Sequence, residues 1–151
     1  MEETDINIRW GVEGDKYAIA DITNENYKIL GSAILGEIKS ALQGKEVLVA
    51  ENNTGVIGFI IFHIRKDNGL ALYSMAVRKW YRNRGIGTLL IEKLLSEAKK
   101  SGVHTINLKC PADAPANNFY QKRGFKKVGE VENVSRKGQK RKLNLWRYDV
   151  R

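Results

Sequence analysis

Residues 81–90 decide the fold; they read Tyr81-Arg82-Asn83-Arg84-Gly85-Ile86-Gly87-Thr88-Leu89-Leu90. An extended apolar run at residues 70–77 precedes them, and an amphipathic helix is predicted after them, over residues 86–100. A strand, a basic turn with two closely spaced glycines, and a helix therefore follow one another along the chain.

This junction has the properties of an anion site. The first backbone N–H groups of a helix have no partner within the helix, and the helix dipole places partial positive charge there. Gly85 and Gly87 leave the backbone bare, and Arg82 and Arg84 add full charges. We therefore predict a cradle for a phosphate or pyrophosphate. The alternative is a tight turn with solvated arginines, because the segment lacks the third glycine of a dinucleotide fingerprint and the Lys of a P-loop.

Size and composition are those of one globular domain over residues 1–151, with 42% hydrophobic and 28% charged residues. No apolar run has the length of a membrane span, and the acidic first five residues lack the apolar core of a secretion signal. A single cysteine, Cys110, excludes an internal disulfide, and one Cys with two His makes no metal-ligand cluster. We expect a cytoplasmic protein without a metal or a membrane partner.

Positive charge is concentrated near the C-terminus. The net charge is +9, and residues 121–151 hold 11 Lys and Arg against 3 Asp and Glu. The basic patch, defined as residues 136–142, could bind RNA, the ribosome or another polyanion. A solvated hairpin tip explains it equally well. A basic nucleic-acid- or ribosome-associated protein is therefore the alternative function class.

Periodicity predicts a mixed α/β (α+β) chain. A strand, a crossover helix and a strand imply parallel pairing between residues 70–77 and 103–110. Residues 52–55 are typical of a hairpin turn, and Asp15 and Asp113 are candidate helix caps. The predicted strands are 5–10, 47–50, 56–64, 70–77, 103–110, 125–134 and 143–150, and the predicted helices are 15–24, 32–42, 86–100 and 113–123.

This order of elements and three motifs resemble the GNAT superfamily of acetyl-CoA-dependent N-acyltransferases. The motifs are the cradle at 82–87, the strand end Met75-Ala76-Val77, and the segment Asn118-Phe119-Tyr120-Gln121-Lys122-Arg123-Gly124-Phe125. The resemblance covers essentially the whole chain. It implies a GNAT-like single domain with a mixed sheet of about seven strands and about four helices. The sheet would be splayed between the strands at 70–77 and 103–110.

The resemblance also implies a site for acetyl-CoA. The backbone of residues 75–77 would bind the pantetheine arm, and the Val77 N–H would donate to the thioester oxygen in the transition state. Tyr120 would be the general acid that protonates the leaving thiolate. A packed tyrosine is the alternative for Tyr120. The implied cofactor-binding residues are Met75, Ala76, Val77, Arg82, Asn83, Arg84, Gly85, Ile86, Gly87, Thr88 and Asp113.

The chain departs from the family pattern in two places. Asp113 stands where many relatives carry an Asn that contacts the cofactor arm, and we favour a helix cap for it. Relatives often supply a carboxylate base from the fourth or fifth strand, but residues 70–77 and 103–110 contain no Asp or Glu. The sequence therefore names no base. The implied activity is acetyl transfer to a primary amine, which could be a protein N-terminus, a lysine or a small molecule. The oligomeric state is left open.

Other reactive or aromatic residues are assigned structural positions. Cys110 lies at the end of a core strand and is interpreted as a buried structural thiol rather than a nucleophile. His63 is interpreted as a satisfied histidine in the core or at an edge. For Trp10, Tyr17 and Tyr27, near the predicted early helices, we expect core packing.

Overall fold

The structure is a computed structural model that describes residues 5–134 and 138–150. Seven strands form one sheet in the order β1-β2-β3-β4-β5-β7-β6, which confirms the predicted mixed sheet. The strands are β1 (Asn7–Trp10), β2 (Val47–Asn52), β3 (Gly55–Ile64), β4 (Gly69–Val77), β5 (Thr105–Pro111), β6 (Lys126–Val134) and β7 (Lys140–Asp149). The helices are α1 (Lys16–Glu25), α2 (Tyr27–Leu30), α3 (Leu35–Gln43), α4 (Ile86–Lys100) and α5 (Ala116–Lys122). The single turn α2 is the one described α-helix that the sequence did not predict.

Contacts along the chain group into two compact units. Unit 1 comprises the chain up to His63 together with Tyr73–Glu97, and unit 2 comprises Ile64–Leu72 and the chain from Ala98 onward. The prediction of a single domain over residues 1–151 stays a prediction.

Unit 1 is built around β2 and β3. Their nearly continuous apolar runs are buried on both faces, and the hairpin predicted at residues 52–55 joins them. Apolar side chains of α1 and α3 complete one core cluster with the two strands, among them Ile19, Ile38 and Phe59. Burial of these side chains is the main force that holds the early helices on the sheet.

One glycine in β3 allows three elements of unit 1 to pack closely. A Cβ built at Gly58 would lie 3.2 Å from the carbonyl oxygen of Ala76 and 3.4 Å from side-chain carbons of Ile86 and Leu90. The bare backbone at Gly58 therefore lets the first turns of α4 and the end of β4 approach β3. This close approach positions the turn between β4 and α4.

Unit 2 contains the parallel pair that the sequence predicted. Gly69–Leu72 of β4 pairs in parallel with residues 105–108 of β5, and this register ends at Leu72 and Leu108. Beyond that point β5 continues in antiparallel register with β7 as far as Pro111. β6 then pairs with β7, with a shift in register between Lys127 and Gly129.

Asp15 occupies the predicted N-cap position of α1 without capping it by its side chain, and the predicted cap at Asp113 is wrong. Asp15 ends a short 3-10 turn and accepts hydrogen bonds from the Val12 N–H and from Arg9, both at 2.8 Å, instead of capping α1. The residue that precedes α5 is Pro115, and Asp113 lies in an exposed turn two residues earlier. That turn is closed by the Ala114 N–H on the Pro111 carbonyl at 3.0 Å, which delays the helix beyond Asp113.

Two of the aromatic assignments are also wrong. Tyr17 and Tyr27 are 63% and 59% exposed, so they do not pack in the core. Trp10 is 41% exposed, and its ring is tilted by 53° against that of Phe62 at 6.1 Å between ring centroids. Among the described helices, none has both the length and the apolar character that crossing a membrane requires.

Candidate active site

The turn before α4 has the backbone conformation of an anion-binding cradle. Asn83 and Gly85 have φ angles of +62° and +82°, both in the left-handed region, and α4 begins at Ile86. Residues 82–85 are exposed, and the Gly85 carbonyl accepts the Leu89 N–H at 3.1 Å as the first helical bond. Left-handed residues before a helix turn successive N–H groups toward one point, where an anion can accept them. The cradle predicted at residues 82–88 therefore has suitable geometry.

Neighbouring side chains hold the two cradle arginines. The Arg82 guanidinium donates to Oδ1 of Asn26 at 2.7 Å, and the Arg84 guanidinium lies 5.4 Å from the ring centroid of Tyr81. Both arginines are exposed, and each of them makes one of these contacts with a neighbouring side chain. The choice between an anion site and a tight turn with solvated arginines therefore stays a prediction.

The sequence did not identify the C-terminal end of α1 as the support of this turn. The Glu25 carboxylate accepts from the Lys79 N–H at 3.0 Å and from the Arg78 guanidinium at 3.1 Å, and Asn26 holds Arg82. These partners are more than fifty residues away along the chain, so no local pattern signals them. They fix the segment between β4 and the cradle.

The end of β4 presents two backbone donors away from β3. The Arg78 N–H donates to the Ile57 carbonyl of β3 at 2.8 Å. Successive N–H groups of an extended chain point to alternate sides, so those of Met75 and Val77 point to the opposite edge. Ala76, between them, is buried at 7% exposure. Of the three residues that the resemblance assigns to the pantetheine arm, Met75 and Val77 thus direct their N–H groups away from β3, and their contact with a cofactor stays a prediction.

Unit 2 holds the predicted general acid, Tyr120, in a buried aromatic cluster. The Tyr120 side chain is 6% exposed, and its ring contacts Phe119 and Phe125 edge-on at 5.5 and 5.6 Å. Burial raises the pKa of the Tyr120 hydroxyl above its ordinary value, and the neighbouring Cys110 adds to the shift. The phenol therefore stays protonated at neutral pH, although its burial makes each proton transfer to a thiolate more costly than transfer from an exposed phenol.

Cys110 is a buried thiol of low reactivity. Its side chain is 4% exposed, and desolvation raises its pKa to about 11. The thiolate is the nucleophilic form of cysteine, so a pKa this high leaves little of it at neutral pH. These properties support the structural interpretation of Cys110.

A single amide, that of Asn117, joins the start of α5 to β5 and β7. Its Nδ2 donates to the carbonyls of Pro111 and Ala114, both at 2.8 Å, and to that of Ala112 at 3.3 Å. Its Oδ1 accepts from Trp146 Nε1 at 2.9 Å and Asn144 Nδ2 at 3.1 Å. Asn117 and Tyr120 are three residues apart on one face of α5. The amide therefore fixes the helical turn that carries Tyr120, a role the sequence did not predict.

Unit 1 also contains a cavity of about 750 Å³. Its walls come from α1, the segment from α2 to α3, the start of β2, and β3 and β4; they include Thr23, Glu37, Glu46, Phe62, Tyr73 and Ser74. Glu46 Oε2 lies 2.8 Å from Nδ1 of His63, whose ring stacks on Tyr73 at 6.3 Å between centroids. His63 is exposed and paired, as expected of a satisfied edge histidine.

The remaining sequence predictions fall partly outside the described residues. Residues 136 and 137 of the basic patch lie there, while Lys140 and Lys142 are exposed and Lys142 Nζ is 3.6 Å from Glu130. Binding of a polyanion by this patch stays a prediction. Within residues 5–134 and 138–150, no group of three or more His, Cys, Asp or Glu is placed to hold a metal ion. Asp113 is exposed, and its contact with a cofactor also stays a prediction.

Comparisons with known proteins find similarity to acetyltransferases. A family model described as "Acetyltransferase (GNAT) domain" matches residues 43–127, which include β2 to α5. The [Ribosomal protein bS18]-alanine N-acetyltransferase of Haemophilus influenzae is 35% identical over 94 residues. That match covers 60% of this chain and 63% of the relative, so it spans less than two thirds of the relative's length.

Solved structures share the fold over nearly the whole chain. The ribosomal-protein-S18-alanine N-acetyltransferase from Escherichia coli superposes with a TM-score of 0.82 at 22% identity, over 96% of this chain and 94% of the other. The structure of yncA from Salmonella typhimurium, solved with its cofactor acetyl-CoA, gives a TM-score of 0.82 at 19% identity, over 97% and 95%. At these identities the likeness concerns the fold.

Proposed function

The chain belongs to the GNAT acetyltransferase family, and from that premise we propose that it transfers an acetyl group from acetyl-CoA to a primary amine. The observation that carries the proposal is the cradle of residues 82–88, which follows a strand end with outward N–H groups. Among the described residues, nothing lies within 4 Å of a Cβ built at Gly85, so a diphosphate has open access to this backbone. The basic and left-handed turn suits that group.

The proposed chemistry is direct attack of the amine on the thioester carbon. As the new C–N bond forms, the thioester oxygen gains negative charge, which the Val77 N–H stabilises. The C–S bond then breaks, and the Tyr120 hydroxyl supplies a proton to the departing thiolate. The nitrogen loses a proton to water or to a base that the sequence does not name.

The proposed acceptor is a protein N-terminus, a lysine or a small-molecule amine. The Haemophilus influenzae relative is named for an alanine of a ribosomal protein, which supports including N-terminal peptides among the acceptors to be tested. An α-amine has a pKa near 8 and loses its proton more easily than a lysine amine near 10.4. A site without a strong base therefore favours the α-amine.

The proposal is tested by an acceptor panel. Purified protein is mixed with acetyl-CoA and single amines, among them an alanine-initiated peptide, and release of free thiol is followed. We expect thiol release that depends on one class of amine, together with an increase in Tm on adding acetyl-CoA alone. The absence of any Tm shift at millimolar acetyl-CoA would contradict the proposed cofactor, whatever the acceptor.

Replacing Tyr120 with phenylalanine is expected to lower kcat by about 100-fold, the usual contribution of a general acid, with little change in the Kd for acetyl-CoA. The phenyl ring keeps the aromatic packing, so the fold should be unaffected. Tyr148→Phe is the matched control, because it removes a hydroxyl elsewhere in unit 2. Because the pKa of Tyr120 is raised, the wild-type rate should show no alkaline loss from this group below about pH 10. Wild-type kcat in Tyr120→Phe would assign Tyr120 to packing alone.

A further inference from the structure

The cavity in unit 1 carries the opposite charge to the protein as a whole. The chain has a net charge of +9, yet the residues that line the cavity include two carboxylates, Glu37 and Glu46, and no Lys, Arg or His among those described. A cavity with this lining attracts cations and repels the anionic parts of a ligand.

The backbone around Glu46 is fixed on both sides. The Glu46 N–H donates to the Ala41 carbonyl at the end of α3, and the Glu46 carbonyl accepts from the Phe62 N–H of β3, both at 3.0 Å. Lys45, which precedes it, has a left-handed φ of +58°. The turn from α3 into β2 thus places the Glu46 carboxylate in the cavity wall, at a position that does not depend on a mobile loop.

A histidine orients the Glu46 carboxylate. His63 Nδ1 lies 2.8 Å from Oε2, and the His63 ring is held within 5° of parallel to the ring of Tyr73. A carboxylate has two oxygens and about four lone-pair sites, so it can accept a cationic donor in addition to the partners that it has within the protein. The arrangement is that of an oriented acceptor of charge-assisted hydrogen bonds.

The position of Glu46 separates this role from the acetyl transfer itself. Tyr73 and Ser74 belong to the cavity wall, and the proposed thioester-binding residues follow directly in the same strand. Val77 lies four positions after Tyr73, which in a strand corresponds to roughly 13 Å. A ligand in the cavity therefore reaches toward the thioester segment, but a group bound at Glu46 is too far away to be the attacking nitrogen.

We infer that the acceptor carries a second positive charge, about 10–15 Å from the nitrogen that is acetylated, and that Glu46 binds this charge in the cavity. The inference rests on the proposed acetyl transfer. Glu46 is in this view a specificity-determining residue, and His63 positions its carboxylate. The shared chemistry is an extended dication, which a long aliphatic diamine provides and which a peptide with a basic side chain two residues after its N-terminus also provides.

The test compares matched acceptors that differ only in the second charge. These are 1,8-diaminooctane against octylamine, and an alanine-initiated peptide with lysine at its third position against the same peptide with norleucine. We expect wild-type kcat/KM to favour one of the dications by about tenfold or more. Glu46→Gln should remove that preference by lowering kcat/KM for the dication, while kcat/KM for the matched monocation stays as in wild type. A preference confined to the diamine pair or to the peptide pair identifies the source of the dication.

The control is Glu13→Gln, which removes an exposed carboxylate paired with Lys16 at 3.5 Å and should keep the preference. Equal losses for dication and monocation in Glu46→Gln, or a preference that survives, would overturn the inference.

The Tm shift produced by 1,8-diaminooctane and by the lysine peptide without acetyl-CoA separates the two proposals. A shift for either in wild type but not in Glu46→Gln, without any acetylation, would support the cation site and contradict the acetyl transfer. Acetylation without any dication preference would support the acetyl transfer and contradict the cation site.

Discussion

Replacing Gly87 with glutamate is expected to abolish acetyl-CoA binding while leaving the protein folded. Gly87 is the second residue of α4 and is partly exposed. A carboxylate there lies beside the N–H groups proposed for the diphosphate, and two like charges about 4 Å apart near a protein surface repel by about 4 kcal/mol. A side chain also occupies the space that the ligand needs. We expect the Kd for acetyl-CoA to rise by at least about 100-fold, measured by calorimetry.

Stability should change in the opposite direction in the same variant. Negative side chains in the first turn of a helix are stabilising by about 0.3–1 kcal/mol, because they interact with the positive end of the helix dipole. Gly87→Glu should therefore unfold at an equal or higher urea concentration than wild type. This combination of lost binding and retained stability distinguishes an anion site from a merely structural turn.

Two controls isolate the diphosphate. Gly14→Glu makes the same charge change at an exposed glycine around which the described structure is open, and it should bind acetyl-CoA as wild type does. S-acetylpantetheine lacks the diphosphate, so turnover with it should differ little between Gly87→Glu and wild type. An unchanged Kd for acetyl-CoA in Gly87→Glu would refute the cradle.

Local patterns were sufficient for the elements that this site uses. Continuous apolar runs predicted β2 and β3, the glycines at 85 and 87 predicted the turn into α4, and the strand–helix–strand order predicted the parallel pair. Each of these signals depends on residues within a few positions of one another. Backbone geometry at a helix start is of this kind, which is why one segment was enough to predict the turn before α4.

Side-chain partners that are distant in sequence could not be predicted in this way. Glu46 and His63 are joined only through the register of β2 on β3, and a shift of one residue would place His63 on the other face. The family pattern places a carboxylate on β4 or β5, whereas Glu46 immediately precedes β2. Asp113 failed as a cap for a different and local reason: the Ala114 N–H closes a turn on the Pro111 carbonyl, so α5 begins only after Pro115.

Removing the Asn117 side chain is expected to have the largest effect on stability. In Asn117→Leu the buried donors Trp146 Nε1 and Asn144 Nδ2 lose their acceptor together, while the carbonyls of Pro111 and Ala114 each keep a backbone N–H. A buried polar group left without a hydrogen bond costs about 1–3 kcal/mol, and Trp146 is only 6% exposed. We therefore expect a loss of about 3–5 kcal/mol in the free energy of unfolding, a large share of the 5–15 kcal/mol typical of a domain.

Matched variants separate the contributions in a urea titration. Asn118→Leu, at the exposed neighbouring position of α5, should lie within about 0.5 kcal/mol of wild type, as surface substitutions generally do. Trp146→Phe removes one donor to Asn117 and retains most of the aromatic packing, so its loss should be smaller than that of Asn117→Leu. If Asn117→Leu were no less stable than Asn118→Leu, the amide would not be what holds α5.

A milder variant connects this amide to catalysis. Asn117→Asp keeps the acceptor for Trp146 but turns a second oxygen toward the carbonyls of Pro111 and Ala114, so the first turn of α5 is repelled from the end of β5. Tyr120 lies one turn further along the same face and should move with it. At a temperature where the variant is folded, we expect kcat to fall while the KM for acetyl-CoA changes little, because the cradle belongs to unit 1. A parallel loss of both would mean that Asn117 supports the fold without positioning Tyr120.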